Sequence, residues 1–193
     1  MPDAHDRYSH GHHESVLRSH TWRTAENSAG YLVPHLRRGD DLLDVGCGPG
    51  TITIDLARLV APGVVTGMDI SEAVVDVARR EAATSGTGNV GFVVGDVYDL
   101  GDRECVFDVV HAHQVLQHLS RPVDALLEMR RVLREGGLLA VRDGDYGAFE
   151  WFPSDHRLNR WMELYHQITR ANRADADAGR RSEGTRLNSS HRH

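Results

Sequence analysis

Between residue 41 and about residue 145 the chain alternates between two rhythms of apolar and polar positions. Short, nearly continuous apolar runs read as five strands: "DLLDVG", "GVVTGMD", "NVGFVVGD", "VFDVVHA" and "LLAVRD". Their continuity predicts that both faces are covered, as in a parallel sheet held between helix layers. Between them lie stretches with apolar residues at helical spacing. "TITIDLARLV" shows it through Ile54, Leu56, Ala57 and Val60. "SEAVVDVARREAATSG" has Ser71 placed to cap, Glu72 in the first turn and Gly86 to stop it, and "PVDALLEMRRVLREGG" reads as a helix ended by glycine. This alternation predicts βαβ units and an α/β fold: a doubly wound, mostly parallel, Rossmann-like sheet.

The flanks break the rhythm. Residues 1–40 form a polar, His- and Arg-rich lead with helical patches, read as an N-terminal helical lid. Residues 41–145 are the ligand-binding α/β domain, and 146–180 an aromatic, substrate-side loop followed by a helix. From about residue 173 onward the chain reads as polar and structureless. "RSEGTRLNSSHRH", 181–193, fits nothing before it and resembles a translated sequencing adapter; it is expected to be non-native, with the natural chain cut near Arg180.

In doubly wound sheets ligands bind beyond the carboxyl ends of the strands. Those ends carry Asp44 and Gly46, then Asp69, then Asp96, then His111 to Gln114. Three acids in a row at one rim are costly to bury unless something binds them. In "LLDVGCGPG" glycines stand at 46, 48 and 50, where they permit positive φ and close approach of main-chain N–H groups to a ligand. Asp69, about 20 residues on, is placed to accept from ribose hydroxyls, as in dinucleotide sites. The spacing argues against a dinucleotide: G-x-G-x-x-G counted from Gly46 would put its third glycine at Thr51. An acid two residues before the first glycine also opposes a polyanion. The expected ligand is a nucleoside bearing positive charge and no phosphate.

Composition narrows the class further. The chain has 193 residues, 40% hydrophobic and 26% charged, which fits a single globular domain with a real core. No run approaches the ~18 apolar residues of a membrane span. A net charge of −6 gives no electrostatic reason to expect nucleic acid. The polar start lacks the apolar core of a secretory signal, so the cytoplasm is the expected location. Cys47 and Cys105 read as unpaired, reduced thiols.

The motifs "LLDVGCGPG", "VTGMDIS", "FVVGDVYDL", "FDVVHAHQVLQHL" and "LREGGLLAVRD" occur in this order over residues 41–143. In them the chain resembles the class I S-adenosylmethionine-dependent methyltransferases, and most of all the small-molecule (type 11) group related to quinone-biosynthesis enzymes. The resemblance implies S-adenosyl-L-methionine as cofactor and methyl transfer to a small-molecule acceptor. It places Gly46, Gly48 and Gly50 along the cofactor's sugar and amino-acid portion, with Asp44 facing the ammonium directly or through water. It gives Asp69 the ribose hydroxyls, Ile70 an adenine face, Asp96 the adenine amino group and the Val97 N–H a ring nitrogen. His113 would close over the sulfonium side, and Tyr8 and Arg23 of the lead would also reach the cofactor. Family members end with a helix and an antiparallel strand pair beside the fifth strand. This chain shows no such pattern after Asn172, so it is expected to be C-terminally truncated, with an open sheet edge that favours self-association.

Methyl transfer needs nucleophile and methyl held ~3–3.5 Å apart, and such orientation supplies ~7–11 kcal/mol. A general base is needed only for an acceptor that is poorly nucleophilic when protonated; the candidates are His111, His113 and His118, the last also readable as a helix-surface or lid residue. No metal is expected, because His111 and His113 have no carboxylate or cysteine at ligand spacing. "HGHH" at 10–13 reads as part of the lid. Tyr146, Phe149, Trp151 and Phe152 either line an apolar acceptor pocket or pack under the next helix. Two other readings remain: a non-catalytic cofactor-binding fragment or pseudo-enzyme, and an NAD-dependent oxidoreductase, against which the missing phosphate loop speaks.

Overall fold

The computed structural model describes residues 22–101 and 104–180. Tyr8, "HGHH" and the 181–193 tail lie outside them. The elements run α1 (Ala25–Ala29), a 3₁₀ turn (Val33–His35), β1 (Leu42–Val45), α2 (Thr51–Val60), β2 (Val65–Asp69), α3 (Glu72–Ser85), β3 (Val90–Val94) and β4 (Phe107–His113). After a 3₁₀ turn (Leu116–His118) follow α4 (Pro122–Arg131), β5 (Leu133–Arg142), a third 3₁₀ turn (Tyr146–Ala148) and α5 (His156–Ala171).

The described residues divide into two compact units. The first runs to His113 and adds Arg121–Val141; the second joins Gln114–Ser120 to the chain from Arg142 onward. The first holds a five-stranded sheet in the order β3-β2-β1-β4-β5, with β1–β2, β1–β4 and β2–β3 parallel. The carboxyl ends of β1 to β4 therefore share one rim, and β5 forms an edge. All four residues of β1 are buried, as its continuous apolar run requires. One apolar cluster joins Leu42, Val65 and Val109 of the strands to Ile52, Leu56 and Val60 of α2 and to Ala25 and Ala29 of α1. A second gathers Cys47, Ile54, Val75, Ala78 and Phe92.

Local signals act mostly as read. Gly86 stops α3 in the left-handed region, at φ 66°. Ser71 occupies the cap position, but its hydroxyl makes no capping bond; its N–H instead donates to Asp69 Oδ1 at 3.0 Å. The helix expected over "PVDALLEMRRVLREGG" ends early, at Arg131. Its last carbonyls turn to a tertiary partner: Val132 O accepts from Val106 N at 3.0 Å and from Phe107 N at 3.1 Å. Leu133 onward is strand, and Gly136, at φ 76°, bends the chain within it.

In the second unit, the stretch after residue 173 is not structureless. Ala174, Ala176 and Ala178 are buried, Tyr146 N donates to Ala176 O, and Gly179 N donates to Gly144 O. Small side chains let this segment lie flat: a methyl group on Gly179 would stand 2.5 Å from the carbonyl oxygen of Asp143. Among the described residues no strand follows β5 and no helix is long and apolar enough to cross a membrane.

Candidate functional site

Along the rim, Asp96 stands just beyond β3, Asp69 ends β2, Gly46 follows β1 and His113 ends β4. The row beneath is set by register: Phe92 faces Gly67, Gly67 faces Asp44, and Asp44 faces His111. Residues in register on adjacent strands project to the same face. Asp44 and His111, 67 positions apart in sequence, therefore meet: Nδ1 of His111 lies 2.7 Å from Asp44 Oδ1. The other carboxylate oxygen accepts from Thr53 Oγ1 at 2.5 Å, so α2 is tied to the same acid. All three side chains are buried, with Asp44 only 3% exposed. Nε2 of His111 is equally buried and has no hydrogen-bond partner among the described residues.

The glycine loop joins β1 to α2 above this network. Gly46, Gly48 and Gly50 all adopt left-handed φ, at 67°, 55° and 84°. Gly50 is held to glycine twice over, because a methyl group there would also stand 2.8 Å from Phe92 Cζ. Gly46 is exposed, leaving bare main chain at the rim. Cys47 between them is buried, and burial together with the negative charges of Asp44 and Asp69 pushes its thiol far above the ordinary range. Cys105 is exposed, and both thiols are free.

Asp69 is half-buried and is oriented by main chain: Oδ2 accepts from Gly48 N at 3.1 Å and Oδ1 from Ser71 N. One acid thus fixes the loop to the start of α3. Ile70 beside it is 50% exposed, an apolar surface left open at the rim. Asp96 accepts from Tyr98 N at 2.9 Å and opens a short turn to Asp99, while Val97 is buried. His113 is half-buried, two positions along β4 from His111, and the two rings are parallel with centroids 6.5 Å apart. Asp44, His111 and Thr53 are thus joined directly, Asp69 is bonded to the glycine loop, and Asp96 with Val97 stands apart at the β3 end of the rim.

Thr53 was legible only as a polar position in the otherwise apolar opening of "TITIDLARLV". Arg23 precedes α1. The described residues hold no cluster of three or more His, Cys, Asp or Glu suited to a metal.

In the second unit His118 is buried within its 3₁₀ turn rather than on a helix surface, and Gln117 Nε2 lies 3.2 Å from its Nε2. Asp143, just after β5, accepts from Gln117 N at 3.0 Å; burial, partly offset by main-chain N–H groups of 115–117, pushes its carboxyl up to about 6. An acid at the fifth strand end, in "VRDGD", was the signal for it. Of the four aromatic residues read as either lining a pocket or packing under the next helix, Tyr146 and Phe149 meet at a tilt of 33° with centroids 4.9 Å apart, and Tyr146 also meets Tyr165 at 4.5 Å. Trp151 bonds Asn159, and Phe152 is fully exposed.

A family model described as a methyltransferase domain matches residues 36–187. An uncharacterized methyltransferase of Schizosaccharomyces pombe is 32% identical over 167 residues, covering 83% of this chain and 60% of the relative. The demethylmenaquinone methyltransferase of Staphylococcus aureus is 39% identical over 105 residues, covering 54% of this chain and 43% of the relative. This chain thus spans less than two thirds of either relative. A solved S-adenosylmethionine-dependent methyltransferase from Aquifex aeolicus shares the fold, with a TM-score of 0.64 at 20% identity over 82% of this chain and 88% of that one.

Proposed function

Because the chain belongs to the methyltransferase-domain family, within the class I S-adenosylmethionine-dependent fold, we propose that it binds S-adenosylmethionine at the β1–β4 rim and methylates a small molecule. The observation that carries this reading is Asp69, a half-buried carboxylate at the end of β2, oriented by the Gly48 and Ser71 N–H groups beside three left-handed glycines. A carboxylate has about four lone-pair sites, so it accepts from ribose hydroxyls as well as from main chain. Ile70, half exposed, offers an adenine face; Asp96 and the Val97 N–H offer an acceptor and a donor for the base. Bare main chain at Gly46 and the negative charge of Asp44 favour a cationic amino-acid portion over a phosphate. His113 stands at the sulfonium side of such a ligand.

The bound cofactor supplies a methyl group already activated by the sulfonium. The chain's own residues then hold the partners in line and exclude water, and orientation is the main contribution asked of them. An acceptor that is poorly nucleophilic while protonated also needs a base, for which His113 is the rim-side candidate.

The proposed partner is a small molecule. The net charge of −6 disfavours nucleic acid, and two free thiols suit a reducing cytoplasm. Hydroxylated aromatic rings are the first acceptors to try, because one relative is named for demethylmenaquinone. Methyl-labelled S-adenosylmethionine, offered with a panel of such rings and separately with nucleic acid, is expected to label a small molecule alone. Labelled nucleic acid would overturn the proposal.

A further inference from the structure

The Asp44–His111 pair assigns a role that neither the glycine loop nor the strand-end acids provide. Asp44 is only 3% exposed, and its two oxygens are already engaged by Thr53 Oγ1 and His111 Nδ1. The acid is thus poorly placed to meet a ligand itself. A carboxylate can only accept, so the imidazole must present Nδ1–H to it. In the neutral ring this leaves Nε2 as a bare acceptor. That nitrogen is buried, with no hydrogen-bond partner among the described residues. A buried polar atom left without a partner is costly enough to call for an explanation. Thr53 lies in the first turn of α2, directly after the glycine loop, and His111 lies in β4, the neighbour of β1 at the point where the strand order reverses.

We propose that His111 is a cofactor-binding residue, its Nε2 accepting a hydrogen bond from the α-ammonium of S-adenosylmethionine, with Asp44 as the positioning residue behind it. The proposal rests on the cofactor reading given above. Asp44 fixes the tautomer and ring orientation, as an acid does for an imidazole in metal and catalytic sites. Its negative charge reaches the ammonium through the ring instead of by contact. Nothing is transferred in this step; a hydrogen bond forms between an N–H of the cation and a neutral nitrogen. Because Nε2 is covered in the free protein, the side chains over it must shift when ligand enters.

The test is a double cycle between side chain and ligand. Wild type and His111→Phe are titrated calorimetrically with S-adenosylhomocysteine and with its analogue carrying hydrogen in place of the ammonium. Expected is a loss of about tenfold or more for S-adenosylhomocysteine in the variant, with the analogue bound equally by both proteins. An equal loss for both ligands would mean that His111 acts only through the fold. No loss for either would mean that Nε2 meets no ligand. Either outcome overturns the proposal. Should His111→Phe not fold, histidine ¹⁵N spectra of the wild type decide: Nε2 of His111 is expected to shift with S-adenosylhomocysteine and not with the analogue, and equal responses overturn it. If the wild type binds neither ligand, the cofactor reading itself fails and this assignment falls with it.

Discussion

Gly67 and Phe92 face each other in register across β2 and β3, and the Phe92 ring occupies the space a side chain at Gly67 would fill. A methyl group there would stand 2.5 Å from Phe92 Cδ1 and 3.1 Å from Thr53 Cγ2. The same ring closes off Gly50 in the loop, so one aromatic side chain links the sheet to the rim. Gly67→Ala must push Phe92 or Thr53 aside, and overpacking of this kind costs about 1–3 kcal/mol. Denaturant titration is expected to show a lower midpoint. An unchanged midpoint would mean that Phe92 moves freely.

Thr53→Val keeps the shape of the side chain and removes the donor to Asp44 Oδ2. The bond spans only 2.5 Å and is buried, so the carboxylate loses a partner it cannot replace with water. A stability loss of about 1–3 kcal/mol is expected from the same titration. A neutral substitution would show that His111 alone suffices to hold the acid.

His166 in α5 ties down the segment after residue 173. Nδ1 lies 2.9 Å from Met162 O and Nε2 3.1 Å from Asp177 Oδ1. Both partners are acceptors, so the doubly protonated ring satisfies both. The Met162 carbonyl and then Asp177 raise the pKa of His166 against its burial and the charge of Arg170. Asp177 is itself lowered: burial pushes it up, but His166, the Gly147 N–H and Arg180 outweigh that. A raised histidine contributes stability that is present below its unfolded value of about 6.5 and is lost as pH rises through the folded value. Melting curves across that range are expected to show wild type losing stability relative to His166→Phe as pH rises. Parallel curves would contradict the clasp.

The two thiols differ in reach and in chemistry. Cys47 is buried within the glycine loop, where the charges of Asp44 and Asp69 act on it, and Cys105 is exposed. The thiolate is the reactive form. Brief alkylation followed by peptide mass spectrometry is expected to find Cys105 modified and Cys47 intact. Equal labelling would place the loop in an open state.

The strands, the glycine loop and most helix ends were legible because each rests on local chemistry: continuous apolar runs, left-handed glycines, a stop at Gly86. What sequence reasoning missed depends on distant partners. Helix propensity favoured continuing past Arg131, yet the 105–107 segment claims the Val132 carbonyl and draws the chain into β5. "ADADAG" looked like a polar tail, yet its alanines pack flat and its aspartates bond inward: Asp177 accepts from Gly147 N at 2.7 Å. Asp44 was recognisable from its motif. Its partners His111 and Thr53 were not, since only strand register and the angle of α2 bring them to it.

The central claim is that the rim carboxylates and bare loop cradle a cationic nucleoside. Calorimetric titration of S-adenosylhomocysteine into wild type, Asp69→Asn and Asp96→Asn tests it most directly. The expected result is one ligand per wild-type chain and affinity weakened by about tenfold or more in each variant. A wild type that binds nothing, or variants that bind as tightly as wild type, would contradict it.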